Sequence, residues 1–403
     1  MKIVILTQYF PPEVGAPQNR LFELAVRMAA KGDEVTVLTS MPNYPEMKIH
    51  EKYKGKIFFR EDMNGLKVFR SWIFVSKSKS ILFRLINYYS FVISSFLIGA
   101  FKLKETDFLI CESPPLFLGK TGWLLSVITR ARFVFNVSDL WPESAEKLGL
   151  VSDKKVLWLS TKLEELLYKK SFLITGQTQG IVKNIKDRFP EKRVWWLPNG
   201  VDISLFKAEK NSEWKLSRGF SENDFIFLYA GIIGHAQGLE VILKCAEKTL
   251  NNQSVKYLLL GSGPEKDRLM QLKIDLKLTN VYFEEPVTKA EMKEVLSSVN
   301  AAIIPLRKLD LFLGAIPSKI FENLAMKVPV ILGVDGEARE LFVNKGKCAL
   351  YFEPENVSEL YNCVLKIVND KVFANALSEN GIVYVAENFN RDQIAENFRN
   401  QLK

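Results

Sequence analysis

The sequence predicts an α/β chain of two similar halves, each a parallel sheet with helices on both faces. Three observations predict it. Apolar runs of strand length recur along the 403 residues, each followed by apolar residues at helical spacing. The alternation restarts after Pro198-Asn199-Gly200-Val201-Asp202. The length suits two or three domains at roughly 150 residues each, two being the simpler choice.

The elements follow in order. Lys2–Thr7 reads as a buried first strand, and Ala16–Ala30 as a helix with Leu21, Leu24, Ala25 and Met28 on one face. Lys31-Gly32-Asp33 turns the chain into the strand Glu34–Thr39. Leu66–Trp72, Phe108–Cys111, Arg132–Val137, Leu173–Gly176 and Val194–Leu197 continue the strands of the first half. In the second half the strands are Phe225–Ala230, Lys256–Leu260, Val281–Glu284, Ala301–Pro305 and Val328–Leu332, with a helix over Gly238–Leu250. Asn390–Lys403 reads as a polar terminal helix. The expected division is 1–200, 201–385, and a last segment 386–403 returning to the first domain. Two sheets of this kind would face each other across a cleft and bind ligands beyond the carboxyl ends of their strands.

Composition narrows the chemistry. Four scattered cysteines, Cys111, Cys245, Cys348 and Cys363, argue against a disulfide scaffold or a cysteine zinc site and for a reducing compartment. The two histidines, His50 and His235, cannot build a multi-histidine metal centre. The apolar start is too short for a signal peptide. The most apolar stretch, Ile81 to Phe101, is interrupted by Arg84, Asn87, Ser90, Ser94 and Ser95. The net charge of +9 lies wholly in the first half: residues 1–200 hold 30 Lys+Arg against 19 Asp+Glu, and residues 201–403 hold 25 against 27. Such asymmetry suggests an anionic surface for that half, a solvated basic face being the plainer alternative. Lys77, Lys79, Arg84 and the segment Phe83–Phe101 are the candidates for contact with anionic lipid, and burial against the first sheet is the competing expectation.

Several segments carry chemical content. Gly15 ends the loop Gln8-Tyr9-Phe10-Pro11-Pro12-Glu13-Val14-Gly15 before a helix, where N–H groups could approach an anion. Gly261-Ser262-Gly263-Pro264 follows a strand like part of a dinucleotide fingerprint without its third glycine, and a tight turn explains it as well. Pro317-Ser318 reads as a helix start, with Lys319 and Glu322 on one face of the first turn. A cation beside free helical N–H groups is unfavourable unless an anion joins it, and a nucleotide diphosphate would satisfy both; Glu322, one turn in, could accept hydrogen bonds from a ribose diol. Arg307-Lys308 adds positive charge after the strand ending at Pro305. Asp139-Leu140-Trp141-Pro142-Glu143-Ser144 places two carboxylates and an aromatic ring after another strand, a pairing suited to sugars. Asn43 and Tyr44, in Met41-Pro42-Asn43-Tyr44-Pro45, could line the same mouth.

Together these segments resemble the family 4 glycosyltransferases of the GT-B fold, with two Rossmann-like domains. The resemblance runs from Thr7–Gly15 through Pro198–Asp202 to Pro317–Glu322 and Lys327-Val328-Pro329-Val330. Pro42–Pro45, Asp139–Ser144, Gly234-His235-Ala236-Gln237-Gly238-Leu239 and Pro317-Ser318-Lys319 are similar to the N-acetyl-L-fucosamine-type transferases of bacterial surface polysaccharide assembly. The resemblance implies donor binding by the second half and acceptor binding by the first. Glu322 would take the donor ribose and Gly15 the diphosphate, with His235, Gln237 and Ser318 close by. Uracil would lie near Gly261, Gly263 and Pro264 and the backbone of Glu285–Val287.

The chain departs from the pattern in three places. Gly314 stands where many members have a glutamate, and Ile232 and Gln237 stand where many have arginine and lysine. Arg307 and Lys319 are then the expected catalytic cations, with no metal and no cofactor beyond a UDP-sugar donor. Glu112-Ser113-Pro114-Pro115 lacks the histidine with which relatives hold a sugar 6-hydroxyl, which fits a 6-deoxy donor. The expected activity is retaining transfer of an N-acetylated amino sugar from a UDP-sugar to a polyprenyl-diphosphate-linked acceptor in O-antigen or capsule synthesis. The expected place is the cytoplasmic, inner face of the plasma membrane. A UDP-N-acetylglucosamine 2-epimerase is the alternative enzyme, disfavoured by two isolated histidines. A nucleotide-sugar or nucleic-acid binding protein is the non-enzymatic alternative, but no nucleic-acid motif is present.

Overall fold

The computed structural model describes residues 1–403 apart from 14, 45, 79, 148, 150 and 207–210. Val14, Pro45 and Lys79 therefore lie outside the described residues. The chain forms two compact units, one of residues 1–199 with 391–403, the other of residues 200–390. Residues 386–390 lie with the second unit, and the return to the first begins at Arg391.

Among the described residues the first unit holds eight strands: β1 Lys2–Leu6, β2 Glu34–Ser40, β3 Phe58–Met63, β4 Leu66–Ser71, β5 Phe108–Ser113, β6 Arg132–Val137, β7 Leu173–Gly176 and β8 Val194–Trp196. Their order is β3-β4-β2-β1-β5-β6-β7-β8. All neighbours run parallel except β3 with β4. Strand β5 is buried at every position, as the centre of a sheet covered on both faces requires. Apolar clusters fill both faces: Leu6, Leu109, Phe135 and Leu167 belong to one, and Ile5, Ile110, Val134 and Phe398 to the other.

Strand β3 was not expected. Its core, Arg60-Glu61-Asp62, is too charged to read as a strand, but the following Asn64-Gly65, both at positive φ, is the turn that a tight hairpin needs.

The terminal helix Arg391–Leu402 packs on the helix Ala16–Ala30 of the same unit. Phe398 stacks on Trp195 at 5.9 Å, and Arg399 and Arg27 reach Asp33 and Asp392 at 2.6 Å each.

The helix Ile81–Lys102 packs against β2, β4 and the helix Leu118–Ile128. Gly99 lets the two helices approach, since a Cβ there would sit 2.6 Å from Leu125 Cδ1. The inward ridge is Asn87, Phe91, Ser95 and Gly99, while Leu82, Ile86, Tyr89, Ile93, Leu97 and Phe101 are exposed. The helix is thus only partly core.

The second unit holds β9 Phe225–Ala230, β10 Val255–Leu260, β11 Val281–Glu284, β12 Ala301–Pro305, β13 Val330–Gly333 and β14 Ala349–Tyr351. Their order is β11-β10-β9-β12-β13-β14, all parallel. The chain winds outward from β9 in one direction and resumes at β12 in the other. The crevice outside the carboxyl ends of β9 and β12 is therefore the ligand-binding switch point of this topology. The expected helix over Gly238–Leu250 is shorter, Glu240–Lys248, because Gly238 adopts a left-handed conformation just before it.

Candidate active site

The loops leaving β9, β10 and β12, with the start of the helix Lys319–Ala325, converge at the second unit's switch point. The loop after β9 and the loop after β10 are in backbone contact: Gly231 N donates to Leu260 O at 2.9 Å, Ile233 N to Ser262 O at 2.9 Å, and Glu265 N to Ile233 O at 3.0 Å. The approach is so close that a Cβ on Gly261, whose φ is +155°, would lie 1.9 Å from Gly231 O. Gly261 and Gly263 thus serve first to join two loops, which is why they resemble a fingerprint without completing one. The loop after β12 is tied in by Arg307 N, which donates to Ala236 O at 2.9 Å.

Lys319 opens its helix, and Ser318 precedes it without capping through its side chain. The Lys319 Nζ sits 3.9 Å above the centroid of the Tyr229 ring. It also passes close to Gly231, where a Cβ would lie 2.8 Å from it. Tyr229 is held by its hydroxyl, which donates to Ile232 O at 2.6 Å. Burial pulls the Lys319 pKa down to about 7, against the opposing pull of the half-buried Glu322, three residues on. Among the described residues the Lys319 ammonium has no ion-pair partner. Arg307 is exposed, and its guanidinium likewise meets no carboxylate. Lys308, by contrast, is spent on Glu353 at 2.7 Å.

The other residues expected in the second unit lie along the same edge. His235 Nδ1 is 2.8 Å from Glu265 Oε1, whose second oxygen accepts from Arg268 Nε at 2.7 Å. Gln237 lies in the same short turn as His235, and both it and Val287, in the loop after β11, are half-buried. Gly261 N donates to Glu284 O at 3.0 Å, so the ends of β10 and β11 are adjacent. Gly314 is exposed, with open space around it. Tyr229, Gly231 and Glu265 were missed by sequence reasoning. A tyrosine two residues before a glycine at a strand's end was the available signal.

The first unit's predicted residues form two places at its own carboxyl edge. Asn43 is buried, and its amide donates to Met41 O at 2.9 Å. Its backbone N–H and that of Tyr44 both donate to Glu13 Oε1 at 2.8 Å. Asn43 therefore fastens its loop rather than facing solvent, while half-exposed Tyr44 packs edge-on against Tyr9 at 5.8 Å. Asp139 accepts from Ser144 Oγ at 2.5 Å, and burial raises its pKa, with the Glu143 charge adding to the shift. Glu143 itself pairs with Lys147 at 2.7 Å. No hydrogen bond joins the Asn43–Tyr44 loop to Asp139 or Glu143 among the described residues. Gly15 precedes its helix in extended conformation, where a Cβ would meet Gln18 Oε1 at 2.3 Å.

A further cluster was missed. Arg20 donates to Glu112 Oε1 at 2.6 Å and to Ser138 Oγ at 2.7 Å. Asn136 and Ser138 donate to the same carboxylate, and Thr175 donates to Asn136 at 2.6 Å. The signal was a charged or amide residue inside strands that otherwise read as wholly apolar.

Residues 210–383 match the family model for glycosyl transferases group 1. The chain is 27% identical over 373 residues to WcaI of Escherichia coli, named for colanic acid biosynthesis as a glycosyl transferase, covering 89% of this chain and 90% of that one. Its fold is similar to that of sucrose-phosphate synthase from Thermosynechococcus elongatus (TM-score 0.78, 17% identity, 99% and 98% of the two chains). It is also similar to Anabaena HepE, solved with UDP-glucose (TM-score 0.73, 17% identity, 100% and 99%). Residues 210–383 are therefore similar to a glycosyl transferases group 1 domain, within a chain that has the two-unit α/β fold, GT-B, of these solved structures.

Proposed function

We propose that the protein transfers an N-acetylated, 6-deoxy amino sugar from a UDP-sugar to a polyprenyl-diphosphate-linked sugar. The reading carries retention of anomeric configuration and a role in O-antigen or capsule synthesis at the inner face of the plasma membrane. One observation carries it furthest: Lys319 and Arg307 stand at the switch point of a nucleotide-type sheet without carboxylate partners among the described residues. Two such cations suit a diphosphate. The match to group 1 transferases, the likeness to WcaI and the UDP-glucose complex of HepE support the same reading.

In this mechanism the bond from the sugar's anomeric carbon to the diphosphate oxygen breaks as a bond to the acceptor hydroxyl forms. The acceptor's proton passes to the departing diphosphate, which leaves as UDP. The protein holds both substrates and stabilises the charge growing on the leaving group, the work of Lys319 and Arg307. The proposal assigns no metal, so full activity in EDTA is expected; loss there and recovery with Mn²⁺ would overturn that part. The 6-deoxy preference rests on the segment Glu112–Pro115, which offers no histidine.

The test is a panel of UDP-sugars incubated with lipid-linked acceptors, with product mass as the readout. Transfer from a UDP-N-acetyl-6-deoxyhexosamine above its 6-hydroxy counterpart is the expected result. Transfer of an unacetylated hexose alone would replace the donor, and an epimer formed without acceptor would replace the reaction.

A further inference from the structure

The helix Ile81–Lys102 leaves an apolar face exposed. Its inward ridge carries Asn87, Phe91, Ser95 and Gly99, while its outward ridge carries Leu82, Ile86, Tyr89, Ile93, Leu97 and Phe101. Ile93 is 60% exposed and Phe101 83%. Val127 and Ile128 at the end of the next helix are exposed too, as is Trp72, whose backbone oxygen accepts from Ser94 Oγ. Exposed apolar side chains in line along one helix mark a surface that another body covers.

Charge says what that body is. From residue 63 to residue 104 the chain has no Asp or Glu; Arg70 is buried against Glu61 and Lys67 pairs with Glu34, while Lys77, Arg84, Lys102 and Lys104 are exposed. From 113 to 138 it again has no acid, with Lys120, Arg130 and Arg132. A second copy of this chain would bring like charge to like charge. An anionic bilayer offers acyl chains to the ridge and phosphates to its fringe, and Tyr and Trp favour that boundary.

Length and composition would also let Leu82–Lys102 cross a membrane. The inward ridge argues against spanning. The Asn87 side chain accepts from Gln8 Nε2 at 3.0 Å and donates to Phe74 O at 2.6 Å, and Thr121 Oγ1 donates to Val92 O at 3.0 Å. Extraction into lipid would break these bonds where nothing replaces them.

We propose that the first unit docks on an anionic membrane surface, with the helix Ile81–Lys102 lying along the surface and its outward ridge in the acyl boundary. The inference supplies the partner that a lipid-linked acceptor requires, but docking stands apart from the donor chemistry and can hold if that reading fails.

The test is flotation of the full chain with vesicles of phosphatidylcholine alone or with one third phosphatidylglycerol, comparing the native protein with Ile93→Glu/Leu97→Glu and with Lys77→Glu/Arg84→Glu. Native protein should float with the anionic vesicles, and each double variant should bind at least tenfold more weakly. UDP binding in solution should be unchanged in both, which separates loss of docking from unfolding or from a fault in the donor site. No flotation of the native protein, or flotation indifferent to Ile93→Glu/Leu97→Glu, overturns the proposal. A lipid-free dimer that the same variant dissolves would replace the membrane with a second copy. Failure of transfer with docking intact would count against the proposed reaction and not against the surface.

Discussion

The carboxyl edges of the two sheets make opposite use of charge. In the first unit Arg20, Glu112, Asn136, Ser138 and Thr175 are buried or nearly so and bound to one another, and Arg20 Nε is buried without a hydrogen-bond partner among the described residues. In the second unit Lys319 rests on an aromatic face and Arg307 faces solvent, both without a carboxylate among the described residues. A buried charge that has its partners organises the fold, and removing one partner strands the other. A cation left without a counter-ion at a ligand-binding edge holds a place for one. Burial alone does not separate the two roles; pairing does.

The sharpest way to break that contrast is Glu112→Ala. It strands Arg20 in the interior, and a loss of about 3–5 kcal/mol in chemical denaturation is expected. A change below 1 kcal/mol would show that the network is not structural. Next is Gly261→Ala, whose new methyl cannot fit against Gly231 O. It should cost more than about 2 kcal/mol through backbone displacement in the second unit.

Lys319→Ala should act in the opposite sense. Transfer should fall at least tenfold, about 1.4 kcal/mol of barrier, with no loss of melting temperature. An unchanged kcat/KM would remove Lys319 from the mechanism.

The same residue predicts a pH dependence. With a pKa near 7 in the free protein, Lys319 is charged below neutrality and increasingly neutral above it. A bound diphosphate favours the charged form and raises the pKa, so binding takes up a proton. UDP affinity should therefore decline from pH 6.5 to 8.5, by up to about tenfold per unit above the free pKa. Calorimetry in buffers of different ionisation heat would detect the uptake, and a flat profile would detach Lys319 from the diphosphate. The smallest effect belongs to His235→Ala. His235 is 71% exposed in its pair with Glu265, so stability should move by no more than about 1 kcal/mol. Any larger loss in UDP affinity would then report a direct donor contact.

Much of the fold was legible because parallel strands buried on both faces leave an unmistakable trace. Phe225–Ala230, Val281–Glu284 and Ala301–Pro305 were read to the residue. Strands β3 and β14 were not, since the first carries three consecutive charged residues and the second is three residues long. Strand order was beyond reach, because pairing depends on contacts remote in sequence. At the edge of the second sheet, the helix start at Lys319 and the cations were legible from local pattern. The ring beneath Lys319 was not, as Tyr229 and Lys319 are ninety residues apart and meet only through the crossover of β12. Asn43 shows the converse error. A polar residue in a loop of prolines and a tyrosine looked like a ligand contact, yet its amide closes the loop on itself.

The terminal helix Arg391–Leu402 completes the first unit, although the whole second unit is made before it. On a ribosome adding about 5–20 residues per second, the first unit would wait roughly 10–40 s for its last layer while the ~190 residues of the second emerged. Through that interval Trp195 would lack the Phe398 ring and Asp33 the Arg399 guanidinium, and nascent protein would be most dependent on a chaperone at that moment.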